Sequence, residues 1–346
     1  LTYEKKHELN IGLALGFVDN RINVEFDWYR RNNFDLIGFT QTMGVGGVTT
    51  KLANDATMQS TGCEFTISTT NIKTKDFKWT TDWIFGWAEN TITKLDSRSQ
   101  VYELVNGFGR TEGRPIGALY SIPFAGLTEE GLPTFYIDAE HTQIAGPDNY
   151  DAIYFQEYEN VDYLKYEGSI DPTITGSFGN TFSWKGLKLN VFFTYSFGNV
   201  LRLDDLCPVY SSDYSDLTAS MKEMKNRWMV PGDEQLTTIP SIPTVRQMRE
   251  INALNNAYSA YNYSTERVAK GDFIRLKELS LSYDLPKKYF EGQNAVSSFG
   301  VKLSATNIWL AYADKKLNGR DPEYYNSGGV SSPVPRQFTL TVKLGF

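Results

Sequence analysis

The stretch Arg336-Gln337-Phe338-Thr339-Leu340-Thr341-Val342-Lys343-Leu344-Gly345-Phe346 decides the fold. Even positions from Phe338 to Phe346 are apolar, and odd positions from Gln337 to Gly345 are polar or glycine. A strand points successive side chains to opposite faces, so this segment has one greasy wall and one wet wall. Its final residue is a phenylalanine, which suits a strand whose apolar face meets lipid rather than water.

Residues 9–17, 22–28, 63–68, 77–87, 174–179, 187–197, 279–285 and 299–306 repeat the alternation, with Phe192 interrupting one stripe. Nine strands are therefore predicted. No apolar run approaches the ~18 residues of a membrane helix. Aromatics make up 14% of the 346 residues, yet mean hydropathy is negative. A membrane barrel resolves that contrast, because only alternate strand residues face lipid. No linker or composition shift divides the chain. A net charge of −7 argues against nucleic acid as a partner. Cys63 and Cys207 lie far apart without CxxC spacing, which argues against a metal cluster or disulfide scaffold. The start lacks a basic region, an apolar core and a cleavage site. For an exported protein, the expectation is that the leader has been removed or belongs to another piece.

Connection lengths alternate. Tight turns are expected at 18–21, 72–76 and 185–186, with a modest one at 286–297. Long loops are expected at about 38–60, 95–171, 201–270 and 312–335. Short turns on one side and long loops on the other are what outer-membrane barrels show, the long ones being extracellular. Phe17, Phe77, Trp79, Trp184 and Phe299 fall at the short-turn rim, and Trp28, Trp87 and Trp309 at the opposite strand ends. Two aromatic belts at the headgroup level would place them so. The run 273–278 is out of phase with Leu279. Either a bulge near Lys277 and Glu278 restores the register, or Arg275 and Lys277 lie above the hydrocarbon. Nine strands alone would leave two unpaired edges in lipid, so the chain is expected to be part of a larger barrel.

Several segments resemble one family. They are Tyr3-Glu4-Lys5-Lys6-His7-Glu8-Leu9, Asn20-Arg21-Ile22-Asn23-Val24, Asp27-Trp28-Tyr29 and Ser60-Thr61-Gly62-Cys63-Glu64-Phe65. Gly113-Arg114-Pro115-Ile116-Gly117 follows, then the most specific piece, Gly271-Asp272-Phe273-Ile274-Arg275-Leu276-Lys277-Glu278-Leu279. Thr306-Asn307-Ile308-Trp309, Asp321-Pro322-Glu323 and Pro335-Arg336-Gln337-Phe338 close the series in order. Together they are similar to the C-terminal part of the SusC/RagA group of TonB-dependent outer-membrane transporters from Bacteroidota.

The resemblance implies an all-β transmembrane barrel of about 22 strands with a plugged lumen, of which this chain supplies roughly the last nine. It implies that residues 1–346 lack the plug and the N-terminal strands, which the same or a separate chain would carry. It also implies a SusD-like lipoprotein lid, energy from the inner-membrane proton gradient delivered by TonB, and dimerisation of transporter–lipoprotein pairs. Oligosaccharides or peptides would be the cargo. A surface carbohydrate-binding or adhesin sandwich without transport activity is the alternative, although its strands would average ~5–6 residues.

No catalytic constellation is present. His7 and His141 lie in unrelated segments, and no serine sits in a nucleophile elbow. No cofactor is expected. Asp204, Asp205, Asp213 and Asp216 could offer oxygens to calcium but fit no ion-binding loop, so solvated acids are favoured. Contacts to cargo or lid would come from inward strand positions and long loops. The candidates are Arg114, Tyr120, Phe124, Phe135, Tyr136, Tyr154 and Tyr210. For any one aromatic residue, fixing loops to one another competes with that role and is favoured.

Overall fold

Nine antiparallel strands in chain order form one sheet, each bonded to its sequence neighbours. They are β1 (Lys5–Phe17), β2 (Ile22–Gln41), β3 (Thr50–Lys73), β4 (Phe77–Leu95), β5 (Ile174–Trp184), β6 (Leu187–Phe197), β7 (Phe273–Asp284), β8 (Ser298–Ala313) and β9 (Gln337–Gly345). The computed structural model describes residues 1–206, 222–286, 289, 296–325, 333 and 335–346. Cys207, Tyr210, Asp213 and Asp216 lie outside the described residues. Among the described residues no helix is long and apolar enough to cross a membrane.

Each predicted stripe is a strand of this sheet, and every pairing keeps the stripes in register. Trp79, Phe182, Leu189, Leu281, Leu303 and Leu340 form one file across six strands. Leu13, Phe26, Phe65 and Phe85 form another. The opposite face carries files such as Lys188, Ser282, Lys302 and Thr341. A one-residue slip at any hairpin would send a whole stripe to the wrong face. Among the described residues the apolar face has no second layer over it, and Leu340 is 68% exposed. One polar island is satisfied in place. Trp79 Nε1 and Thr81 Oγ1 donate to Asn180 Oδ1 at 2.9 and 2.7 Å.

The β5–β6 hairpin turns on two left-handed residues, Lys185 (φ 46) and Gly186 (φ 92), the geometry that matches strand twist. On the apolar face the Tyr195 ring lies over Gly176. Its hydroxyl donates to Ile84 O at 2.9 Å and accepts from Trp83 Nε1 at 2.9 Å. A Cβ on Gly176 would stand 2.4 Å from that hydroxyl and 2.2 Å from Ile84 O. Gly176→Ala is therefore expected to displace both the ring and the Ile84 carbonyl at a cost of about 1–3 kcal/mol, read as a lower urea midpoint for the full-length protein in detergent. An unchanged midpoint would show that the ring relaxes freely.

Two expectations are corrected or decided. The loop placed at 38–60 is mostly strand, because β2 runs to Gln41 and β3 starts at Thr50. Beyond Trp28 the sequence Arg30-Arg31-Asn32-Asn33 is polar on both faces. Here one side of the strand pair packs on the polar groups of the connection after β4, so pairing continues without an apolar stripe. The phase change before Leu279 is a bulge. Phe192 pairs Glu278 and Phe193 pairs Leu276, which leaves Lys277 as the extra residue. Leu276 and Leu279 thereby share the apolar face, and Arg275 and Glu278 share the other.

The largest buried apolar cluster lies in the connections, not in the sheet. Helix α1 (Val101–Val105) supplies Val101, Leu104 and Val105. The rest of the connection after β4 adds Ile122, Leu132, Phe135, Tyr150 and Ile153. The connection after β6 contributes Leu206, and Leu254, Ala257, Tyr258 and Tyr261 of α2 (Leu254–Asn262). The sheet surrenders one face to lipid and the other to a lumen, so burial of apolar area falls to the loops.

Candidate functional site

The non-lipid face of the wall is polar and concave. Near the short-turn end Lys188, Asn190, Glu278, Ser282, Lys302 and Lys343 surround a hollow of about 430 Å³. Phe192 also faces this way, between Gly179 and Glu278 in register, with its ring against the Gly179 backbone. Strand alternation puts these residues here for the same reason that it puts leucines on the other side.

Arginine and aspartate hubs tie the connections to the wall and to each other. Arg275 points away from lipid and is 5% exposed. It pairs with Asp321, which is 11% exposed. Its Nε lies 3.2 Å from Glu323 Oε2, an ion pair rather than an aligned hydrogen bond. Lys277, the bulged residue, stands 3.7 Å from Glu323 Oε1. The segments 271–279 and 321–323, separate in the sequence, thus form one cluster that holds the β8–β9 connection against β7. Asp55, buried at the top of β3, accepts from Ser97 Oγ at 2.8 Å and Thr40 Oγ1 at 3.3 Å, with Arg110 at 3.8 Å. This anchors the connection after β4.

Arg202 joins the two longest connections. It donates to Ser264 O at 2.9 Å, Val105 O at 3.2 Å and Tyr120 O at 2.6 Å. Burial pushes its guanidinium down to about 10, with Glu167 acting in the opposite sense. Three carbonyls offset part of the desolvation that a buried cation costs. Arg267 does similar work, pairing with Glu223 and donating to Asp204 O at 2.6 Å.

The residues singled out in the sequence divide. Phe135 is fully buried and Tyr120 nearly so, both in the loop core. Phe124 packs on Phe135 and Tyr261 at ring distances of 6.0 and 5.8 Å. These three pack within the loop core, Phe124 remaining half-buried at its edge. Tyr136 stacks on His141 at 4.7 Å. Arg114 is exposed, with its guanidinium 4.2 Å from the Tyr166 ring centre. Tyr154 is exposed and lines a cleft with Tyr102, Asp205, Asn256 and Tyr263. Sequence reasoning missed Tyr102, Asn256 and Tyr263, because no spacing marks residues that three remote segments bring together. His7 packs edge-on against Phe34. Among the described residues no group of three His, Cys, Asp or Glu side chains is placed to hold a metal.

No family profile matches the chain. It is 26% identical over its whole length to TonB-dependent receptor P3 of Formosa agariphila, and covers 34% of that protein. It is 34% identical over 96 residues to TonB-dependent receptor SusC of Bacteroides thetaiotaomicron, a match covering 28% of the chain and 10% of SusC. Among solved structures, the RagAB peptide importer in its closed-closed state superimposes with a TM-score of 0.74 and 26% identity, over all of this chain and 36% of that one. The open-open state gives 0.73 with 25% identity, over all of this chain and 35% of that one. The chain thus spans about a third of the length of the relatives it matches over its whole length.

Proposed function

We propose that this chain, a member of the SusC/RagA family of TonB-dependent outer-membrane proteins, is a stretch of barrel wall with its extracellular loops in a nutrient importer. Oligosaccharides or peptides are the cargo. The carrying observation is the apolar face: nine strands whose stripes share one side of the sheet and, among the described residues, no layer covering the leucines and phenylalanines. The polar opposite face and the rigid loop unit fit a lumen and its rim. Relatives named as receptors and a peptide importer agree with transport, and the chain is not an enzyme.

On this reading residues 1–346 are the C-terminal part of a barrel of about 22 strands. The N-terminal strands and a plug complete it, in the same or a separate chain. A SusD-like lipoprotein caps the loops, TonB supplies the energy through the plug portion, and transporter–lipoprotein pairs dimerise. Arg114 and Tyr154, which are exposed, and Tyr136, which is half-buried, are where cargo or lid would touch this part of the rim.

Uptake of labelled oligosaccharides and peptides by cells with the intact gene, without it, or without TonB tests the proposal. Uptake of at least one cargo class is expected to vanish in both deletions. The protein is expected to stay with the membranes through a high-salt wash and to leave them in detergent. Release by salt alone would overturn the assignment in favour of a surface adhesin.

A further inference from the structure

Where the two longest connections meet, a cleft of about 390 Å³ opens between α1, residues 153–156 and α2. Tyr102 and Tyr154 line it while 50% and 56% exposed. Tyr263 sits edge-on to Tyr102 at 6.4 Å and to Phe155 at 5.9 Å. The walls are fixed to one another. Tyr102 N donates to Phe155 O at 2.9 Å, Asn256 Nδ2 to Ile153 O at 3.2 Å, and Leu206 N to Asn262 Oδ1 at 3.1 Å. The cleft is therefore preformed, and its size is that of a small ligand group.

Asp205 is the one carboxylate lining it, and among the described residues it has no hydrogen-bond or ion-pair partner. The two guanidiniums that influence it are committed elsewhere, Arg202 to three carbonyls and Arg267 to Glu223 and Asp204 O. Burial raises the Asp205 carboxyl above the usual carboxylate range in spite of both. The residue as a whole stays solvent-exposed, so an arriving cation reaches an open charge that no neighbouring cation has claimed. Tyrosine ring faces attract the same kind of ligand.

We propose that this cleft receives a protonated primary amine, such as the side chain of a lysine in a peptide. Asp205 takes the ammonium charge, and Tyr102 and Tyr154 pack on the methylene stem. The surroundings have the matching sign. Residues 96–173 hold 14 Asp and Glu against four Lys and Arg, a net of −10, so with a whole-chain charge of −7 the remaining residues carry +3. Such an excess concentrates cations near the loops before they bind. The inference rests on the import reading only in making the amine part of a cargo.

The test uses the full-length protein in detergent and two neutral-ended probes, N-acetyl-glycyl-lysyl-glycinamide and its twin carrying an acetylated lysine side chain. The wild type is expected to bind the charged probe roughly tenfold more tightly or better, the worth of a charge-assisted hydrogen bond. Asp205→Asn is expected to erase that difference while leaving affinity for the acetylated probe unchanged, and Tyr154→Ala to weaken both. Equal binding of the two probes by the wild type, or discrimination that survives in D205N, would overturn the proposal. The wild-type comparison decides alone if D205N does not fold. Uptake is measured separately. Import without discrimination sinks the cleft and leaves the importer standing, whereas discrimination without import does the reverse.

Discussion

Leu303→Arg, made in the full-length protein, is expected to cut the yield of assembled barrel sharply and to lower its stability by about 2–4 kcal/mol, the cost of an arginine at the midplane of a barrel. Leu303 is 53% exposed and lies between Leu281 and Leu340 in register. In a protein surrounded by water, an exposed leucine is a position where arginine is tolerated. Here the exposed side of the sheet is the side that meets hydrocarbon, so the same exposure predicts the opposite outcome. Leu189, in the same file, should behave alike. Ser304→Arg is the internal control, since its side chain points to the polar face and should cost little. The check is the fraction of protein that resists unfolding on unheated SDS gels, followed by urea titration. Equal tolerance at 303 and 304 would show that the facing is wrong.

Arg275→Met is expected to cost about 3–5 kcal/mol, the range for removing one member of a buried ion pair. The arginine is 5% exposed and Asp321 11%, so the abandoned carboxylate cannot recover its water without opening the β8–β9 connection. The triple change R275M/D321L/E323Q should restore much of the loss, because replacing a whole buried cluster by apolar groups is often neutral. The distinguishing measurement is proteolysis of residues 314–336 in the folded protein. Fast cleavage in R275M and slow cleavage in the triple variant is the expected pattern. If R275M is cleaved no faster than the wild type, the cluster does not hold the connection.

The strands were legible because their physics is local. A lipid-facing strand must alternate, so each of the nine stripes was visible without knowledge of its neighbours, and the tight turn at Lys185-Gly186 marked a hairpin by composition alone. The upper parts of β2 and β3 were not legible. Above the apolar band a backbone ladder imposes no alternation on side chains, so residues 38–41 and 50–60 read as loop. The bulge at Lys277 left a trace, the lost phase before Leu279, but choosing between a bulge and a position above the hydrocarbon required the partner strands.

The amino-acid sequence by itself determined the class of the fold, the strand order and the side of each strand that meets lipid, since these follow from a period of two repeated along the chain. Only the tertiary structure decided where the burial lies. Phe135 and Tyr154 are equally aromatic loop residues, yet one is sealed in a core and the other lines a cleft. Arg275 finds Asp321 across 46 positions, and Asp205 and Tyr263 of one connection line a cleft with Tyr102 of another. Contacts between distant segments are set by how whole loops pack, and no local period records that.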